Sequence, residues 1–127
     1  MYLRTFALAV AATLIAAGAA QAGGDPAKGK LVFNQQCMLC HSAVAGQEGA
    51  APSLFGVVGR KAASDAHFPS YSKALKASGL TWTTAQLETF LSGPGKLVPG
   101  TAMPITLAKP QDRDDVVAYL ATLKPAH

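Results

Sequence analysis

The chain has 127 residues, a formal net charge of +4 and only two cysteines. That length allows one small domain, and two cysteines allow at most one disulfide. The positive balance contains no basic run dense enough for a nucleic-acid surface.

The first segment reads as an export signal rather than part of the domain. Tyr2-Leu3-Arg4 is a short positive start, an apolar run follows from Phe6 to about Ala17, and Ala20-Gln21-Ala22 closes on a small-x-small cleavage pattern. The run is too short and too rich in alanine for a comfortable membrane span, although an uncleaved anchor stays open as the alternative. Cleavage after Ala22 leaves a domain over residues 23–127. Without Arg4 it holds ten basic residues (eleven minus one) against seven acidic ones. A glycine- and proline-rich domain of about 100 residues is marginal without a staple, and a buried cofactor would serve better than one disulfide.

The first helix is expected to start at Asp25, an N-cap, with Pro26 at its first position. Gly29 and Phe33 fall one turn apart on one face. A glycine inside a helix costs about 1 kcal/mol against alanine, so its presence points to another helix crossing closely there. A short helix is expected from about Tyr71 to Ser78, closed by Gly79. The next begins with Thr83 and Gln86 as a capping box, with Trp82 and Leu87 as the hydrophobic staple. Its apolar face is Leu87, Phe90 and Leu91, and Gly93-Pro94 ends it. Pro110 opens the last helix, acidic residues Asp112, Asp114 and Asp115 fill its early turns, and Lys124 lies in its final turn before Pro125. Val116, Tyr119, Leu120 and Leu123 make one buried stripe. Gly29 and Phe33 should therefore pack on Tyr119 and Leu120. Strand signals are weak, so the class is all-α, with long loops that must wrap around something.

Cys37-Met38-Leu39-Cys40-His41 announces what that is. A C-x-x-C-H run is the attachment signature of a c-type haem. Two thiols three positions apart on a helical turn can each add to one vinyl group of the porphyrin, and the next residue places an imidazole on the iron. Three other readings compete. A zinc site needs two more ligands, and only His67 and His127 remain. A redox dithiol needs a βαβ setting that is absent, and a Cys37–Cys40 disulfide closes too small a loop to brace anything. For the other face of the iron, Met1 leaves with the signal and Met38 lies between the two attachment points. Met103, in Pro99-Gly100-Thr101-Ala102-Met103-Pro104, remains. Core filling is the bland alternative for Met103, and His67 is the second candidate ligand.

These residues resemble the class I c-type cytochromes, within them the soluble bacterial, alpha-proteobacterial, and mitochondrial cytochrome c branch. The resemblance covers nearly all of the domain. It runs through Gly24-Asp25, Lys28-Gly29, Phe33, the C-M-L-C-H motif, Ala51-Pro52-Ser53-Leu54 and Gly59-Arg60-Lys61. Phe68, Tyr71-Ser72, Gly79-Leu80-Thr81-Trp82, Pro99 to Met103, Arg113, Asp115 and Ala118-Tyr119-Leu120 continue it. It implies the cytochrome c fold, with the first and last helices crossing and short helices and long loops around one haem c held by two thioethers. It also implies iron ligation by His41 and Met103, with the Pro52 carbonyl on the other ring nitrogen of His41. Arg60, Tyr71, Trp82 and Thr101 would hold the haem propionates. The chain departs from the family in three ways: Ala51 stands for a glycine, Phe90 for a tyrosine near the methionine sulfur, and Gln36, Gly95 and Ala102 for lysines at the haem edge. Lys96 and Lys109 remain there, so electrostatic steering is weaker than in the relatives.

The implied function is that of a periplasmic, monomeric carrier of one electron, not an enzyme. It would pass electrons at the haem edge from a quinol–cytochrome c reductase to a terminal oxidase, a reaction centre or another periplasmic redox enzyme. It would meet these membrane complexes transiently and bind no nucleic acid. Peroxidase chemistry and ligand sensing are the rivals: the first needs an open sixth iron position, the second an output segment.

Overall fold

The computed structural model describes residues 23–126, so the export-signal reading of residues 1–22, and His127, lie outside the described residues. Helix α1, Pro26–Val32, starts as its capping residues dictate. The Asp25 carboxylate accepts the Ala27 N–H at 2.8 Å and the Lys28 N–H at 3.4 Å. Beyond Val32 the helix does not stop but widens into a π-turn, Phe33–Cys37. Nothing in the sequence pattern had announced that turn.

The helix expected near residues 71–78 is shorter, Lys73–Ala77 (α2). The Ser72 hydroxyl accepts the Leu75 N–H at 3.1 Å and so caps the first turn, which leaves Tyr71 ahead of the helix. Gly79 then turns the chain with φ +65°, a conformation glycine adopts without strain. Helix α3, Thr84–Ser92, is capped by Thr83, whose hydroxyl accepts the Gln86 N–H at 3.1 Å. The cap is one-sided, because the Thr83 N–H bonds instead to the Thr81 carbonyl at 2.8 Å. Pro94 ends α3 as expected but also opens a single further turn, α4, Pro94–Leu97. Helix α5 runs Pro110–Thr122, so Lys124 lies beyond its last turn rather than within it. Among the described residues, extended segments meet only in an isolated bridge between Lys61 and Thr81.

Helices α1 and α5 cross where Gly29 sits. A methyl group on Gly29 would overlap the Asp115 carbonyl and stand 2.8 Å from Tyr119 Cβ; one on Gly24 would overlap the Asp115 backbone as well. Phe33, buried, meets Tyr119 with ring centroids 5.4 Å apart. The crossing also brings a polar partner that the acidic first turns of α5 had suggested only as a dipole effect. Asp115 is 3% exposed, and its carboxylate accepts the Asp25 N–H at 2.8 Å and the Gln111 amide at 2.9 Å. The Asp25 bond is the main cause holding this carboxyl below its ordinary value, while burial works the other way. The rest of the core gathers Val116 and Leu120 from α5 with Leu87, Phe90 and Leu91 from α3 and with Trp82, whose ring lies 4.9 Å from that of Phe90.

On the far side of α5, Glu88 of α3 faces Asp114 and Arg113, the latter with Nε 3.8 Å from its carboxylate. Burial, then the hydrogen bond and charge of Asp114, push the Glu88 carboxyl up to about 7 against the pull of Arg113. Two outcomes follow from these contacts. Gly29→Ala should cost about 1–3 kcal/mol in denaturant unfolding through overpacking, whereas the same change in an open helix gains roughly 1 kcal/mol. Because the fold favours neutral Glu88, its contribution is complete below its ordinary 4.5 and is lost as pH rises through about 7. The Tm should accordingly decline between those values in the parent protein, and Glu88→Gln should flatten that decline. Asp115 acts with the opposite sign, and only as pH falls below its ordinary 3.8.

Candidate cofactor-binding site

The π-turn aims the C-x-x-C-H segment. The Met38 N–H reaches back five residues to the Phe33 carbonyl at 3.0 Å, and Phe33 is anchored on α5. The Cys37 carbonyl then accepts both the Cys40 N–H at 3.1 Å and the His41 N–H at 2.9 Å, closing the turn around the two sulfurs and the imidazole. Burial pushes the Cys37 thiol up to about 11. A thiol held protonated in this way is a poor thiolate nucleophile, which counts against a redox dithiol.

His41 is oriented from outside the turn. Its Nδ1 lies 2.7 Å from the Pro52 carbonyl. A carbonyl can only accept, so Nδ1 carries the proton and Nε2 keeps a free lone pair. Burial lowers the His41 pKa, with the Pro52 bond opposing, so the ring is a neutral donor ready for a metal. The loop that presents Pro52 is tied to the motif: the Ala51 N–H bonds to the Cys40 carbonyl at 3.1 Å and the Leu54 N–H to the Ser42 carbonyl at 2.8 Å. Ser53, 2% exposed, completes it by donating to the Val44 carbonyl at 2.7 Å and accepting the Phe55 N–H at 3.2 Å. Two Arg60 nitrogens donate to the carbonyls of Phe55 (3.2 Å) and Ser53 (3.1 Å). The sequence marks Ser53 only as part of a motif; its bracing role depends on burial, which no spacing reveals.

All of this surrounds one cavity of about 250 Å³. Each of the nine residues singled out from sequence lies on its wall: Cys37, Cys40, His41, Pro52 and Arg60 on one stretch of chain, Tyr71 and Trp82 further on, and Thr101 and Met103 from the loop before α5. Apolar residues of α2, α3 and α5, among them Leu75, Phe90 and Val116, make up much of the rest. They carried no signal of their own, since an apolar helix face reads the same whether it packs on protein or on a ligand. His67 is not on the wall; its side chain is 73% exposed beside Asp65, which removes it as the alternative iron ligand and as a partner for Cys37 and Cys40. The donor set fits a flat, largely apolar ring carrying iron: two thiols at one edge, a neutral imidazole with a free Nε2, one thioether, and the polar groups of Arg60 and Tyr71 elsewhere on the wall. Gln36, Cys40, Ala102 and Ile105 are both exposed and on the wall, so they mark where the cavity meets solvent, and none of them is charged.

The family described as Cytochrome c matches residues 26–124. A cytochrome c2 of Rhodomicrobium vannielii is 47% identical over 115 residues, covering 89% of this chain and 90% of that protein. Among solved structures, cytochrome cH from Methylobacterium extorquens aligns with TM-score 0.72 and 44% identity over 78% of this chain and 99% of that one. Cytochrome c2 from Rhodospirillum centenum aligns with TM-score 0.75 and 33% identity over 80% and 100%.

Removing the Ser53 hydroxyl takes the partner from the Val44 carbonyl and the Phe55 N–H, both part-buried behind Pro52. Ser53→Ala should cost about 1–3 kcal/mol in denaturant unfolding, and Ser53→Thr, which keeps the hydroxyl, should recover part of it.

Proposed function

The chain belongs to the cytochrome c family, carries haem c covalently and is an electron carrier rather than an enzyme; on that premise we propose an exported, monomeric one-electron shuttle of the periplasm. The observation that supports it best is the single cavity wall on which Cys37, Cys40, His41 and Met103 converge. In this reading Cys37 and Cys40 would form the two thioethers, and His41 Nε2 and the Met103 sulfur would hold the iron. When bound, the haem supplies an iron that accepts and releases one electron.

The chain's own groups do the remaining work. Pro52 fixes the His41 ring, so the imidazole need not reorient. Arg60 spends two of its five N–H donors on loop carbonyls and keeps others for a propionate. The Tyr71 hydroxyl accepts the Asp65 N–H at 3.2 Å, which leaves its own proton to donate. Trp82 and Thr101 complete that polar side of the pocket, and Thr101 also meets the Met103 N–H at 3.4 Å. With His41 and Met103 both on the cavity wall, the iron would be held by two protein side chains, and this favours a carrier over a peroxidase. Phe90 is buried against Trp82 and offers no hydroxyl to the Met103 sulfur.

Export rests on the pattern of residues 1–22, which would be removed to leave 23–127, and fits a cofactor attached outside the cytoplasm. The partners in this reading are a quinol–cytochrome c reductase as donor and an oxidase, reaction centre or periplasmic redox enzyme as acceptor. The uncharged rim suits brief encounters held by apolar contact, with Lys96 and Lys109 exposed as a modest electrostatic guide.

The test is spectroscopic and kinetic. The ferric protein should have the methionine–iron charge-transfer band at neutral pH and refuse cyanide, and the ferrous protein should refuse carbon monoxide. Met103→Ala should abolish the band and admit both ligands. A parent protein that lacks the band, or binds those ligands readily, is not a carrier of this kind.

A further inference from the structure

Outside the cavity, one cluster of side chains has no part in the function above. We propose that Glu48, Asp65 and His67 form a binding site for one divalent transition-metal ion, zinc in the first instance, that ties together the two loops carrying them. None of the three lines the cofactor cavity, so the site stands apart from the haem reading.

The geometry is close to what such an ion needs. One ligand atom from each residue lies within 4.8 Å of the other two. Asp65 Oδ1 and His67 Nδ1 are 3.3 Å apart, and ligand atoms around a tetrahedral zinc with bonds of about 2.0–2.1 Å are separated by roughly the same distance. Only Glu48 has to close in, along a flexible side chain.

A second observation points to a cation. Glu48 Oε1 is buried with no hydrogen-bond partner, the only such side-chain atom among the described residues. Leaving a buried carboxylate oxygen without a donor is costly, and a metal ion would satisfy it. Two carboxylates balance the charge of a divalent ion, and the imidazole selects a transition metal over calcium, which takes six to eight oxygens. The nearby cation, Arg60, does not occupy the place: among the described residues no ion pair joins it to Glu48 or Asp65, and two of its nitrogens donate to the carbonyls of Phe55 and Ser53. His67 is mostly exposed and gives the ion its way in.

Glu48 belongs to the loop that presents Pro52 to His41, and Asp65 and His67 to the loop that carries Phe68 and Tyr71 to the cavity. An ion across them would brace both loops and stabilise the folded protein by mass action.

The haem-loaded protein, stripped with a chelator, should be titrated calorimetrically with zinc and, in parallel, with calcium. The expected result is one zinc per chain, a raised Tm with zinc present, and no comparable response to calcium. Glu48→Gln and His67→Ala should each weaken zinc binding at least about tenfold, while His127→Ala, at the only other histidine outside the haem motif, leaves it unchanged. An unaltered haem spectrum in each variant verifies its fold, and exposed His67 keeps the test open if Glu48→Gln is unstable. No saturable zinc binding, binding that survives His67→Ala, binding lost in His127→Ala, or calcium binding of equal strength would each overturn the proposal.

Discussion

The approach of α1 to α5 at Gly29 is the constraint from which the rest follows. Only a residue without a side chain lets the α1 backbone rest on the Asp115 carbonyl. That closeness puts the Asp115 carboxylate within reach of the Asp25 N–H, and Phe33 against Tyr119. The two contacts hold α1 at both ends, so the π-turn that follows begins from a fixed point. A shift of α1 would displace the whole Cys37–His41 turn, because the Met38 N–H is anchored to the Phe33 carbonyl.

The opposite wall of the site is made by loops, and they are rigid for a different reason. Backbone bonds from Ala51 and Leu54 to the attachment turn, the buried Ser53 hydroxyl and the Arg60 guanidinium leave the Pro52 carbonyl little freedom. Pairing between Gly59, Arg60, Ala62 and the Leu80–Trp82 segment extends this framework to the Trp82 ring. Helices thus place the sulfurs, and hydrogen-bonded loops orient the imidazole. Around the mouth, uncharged Gln36, Ala102 and Ile105 stand where an acidic partner would find no dense array of lysines. Leu39, 91% exposed on the attachment turn, adds to this apolar character.

Much of this is legible in the sequence. Caps at Asp25 and Thr83 and the stripe through Val116 and Leu120 placed three helices, since each signal is local and repeats with the helical period. The glycine at 29 foretold the crossing because it is a cost with no local gain. The attachment motif and the resemblance singled out nine residues, and all nine line one cavity. What escaped depends on contacts far apart in sequence. Asp115 looks like a helix-dipole residue until its partner 90 positions away is known. The π-turn needs Phe33 already docked, α4 is a single turn too short for periodicity, and Ser72 rather than Tyr71 begins α2 because its hydroxyl offers a better cap. Glu48 and Asp65, 17 positions apart by their numbering, share no spacing motif at all.

The partnership of first and last helices also bears on the order in which the chain can acquire structure. Helix α1 has seven residues, too few to persist alone in water, and its docking surface is α5. A loop of about 90 residues must close before either helix gains from the other, which is the costly kind of contact in folding. Until residues 110–122 arrive, nothing secures Phe33, and the Cys37–His41 turn has no fixed start. The unfinished chain therefore leaves the Cys37 thiol open to chemistry from which the finished fold partly withdraws it, while Cys40 stays exposed in both.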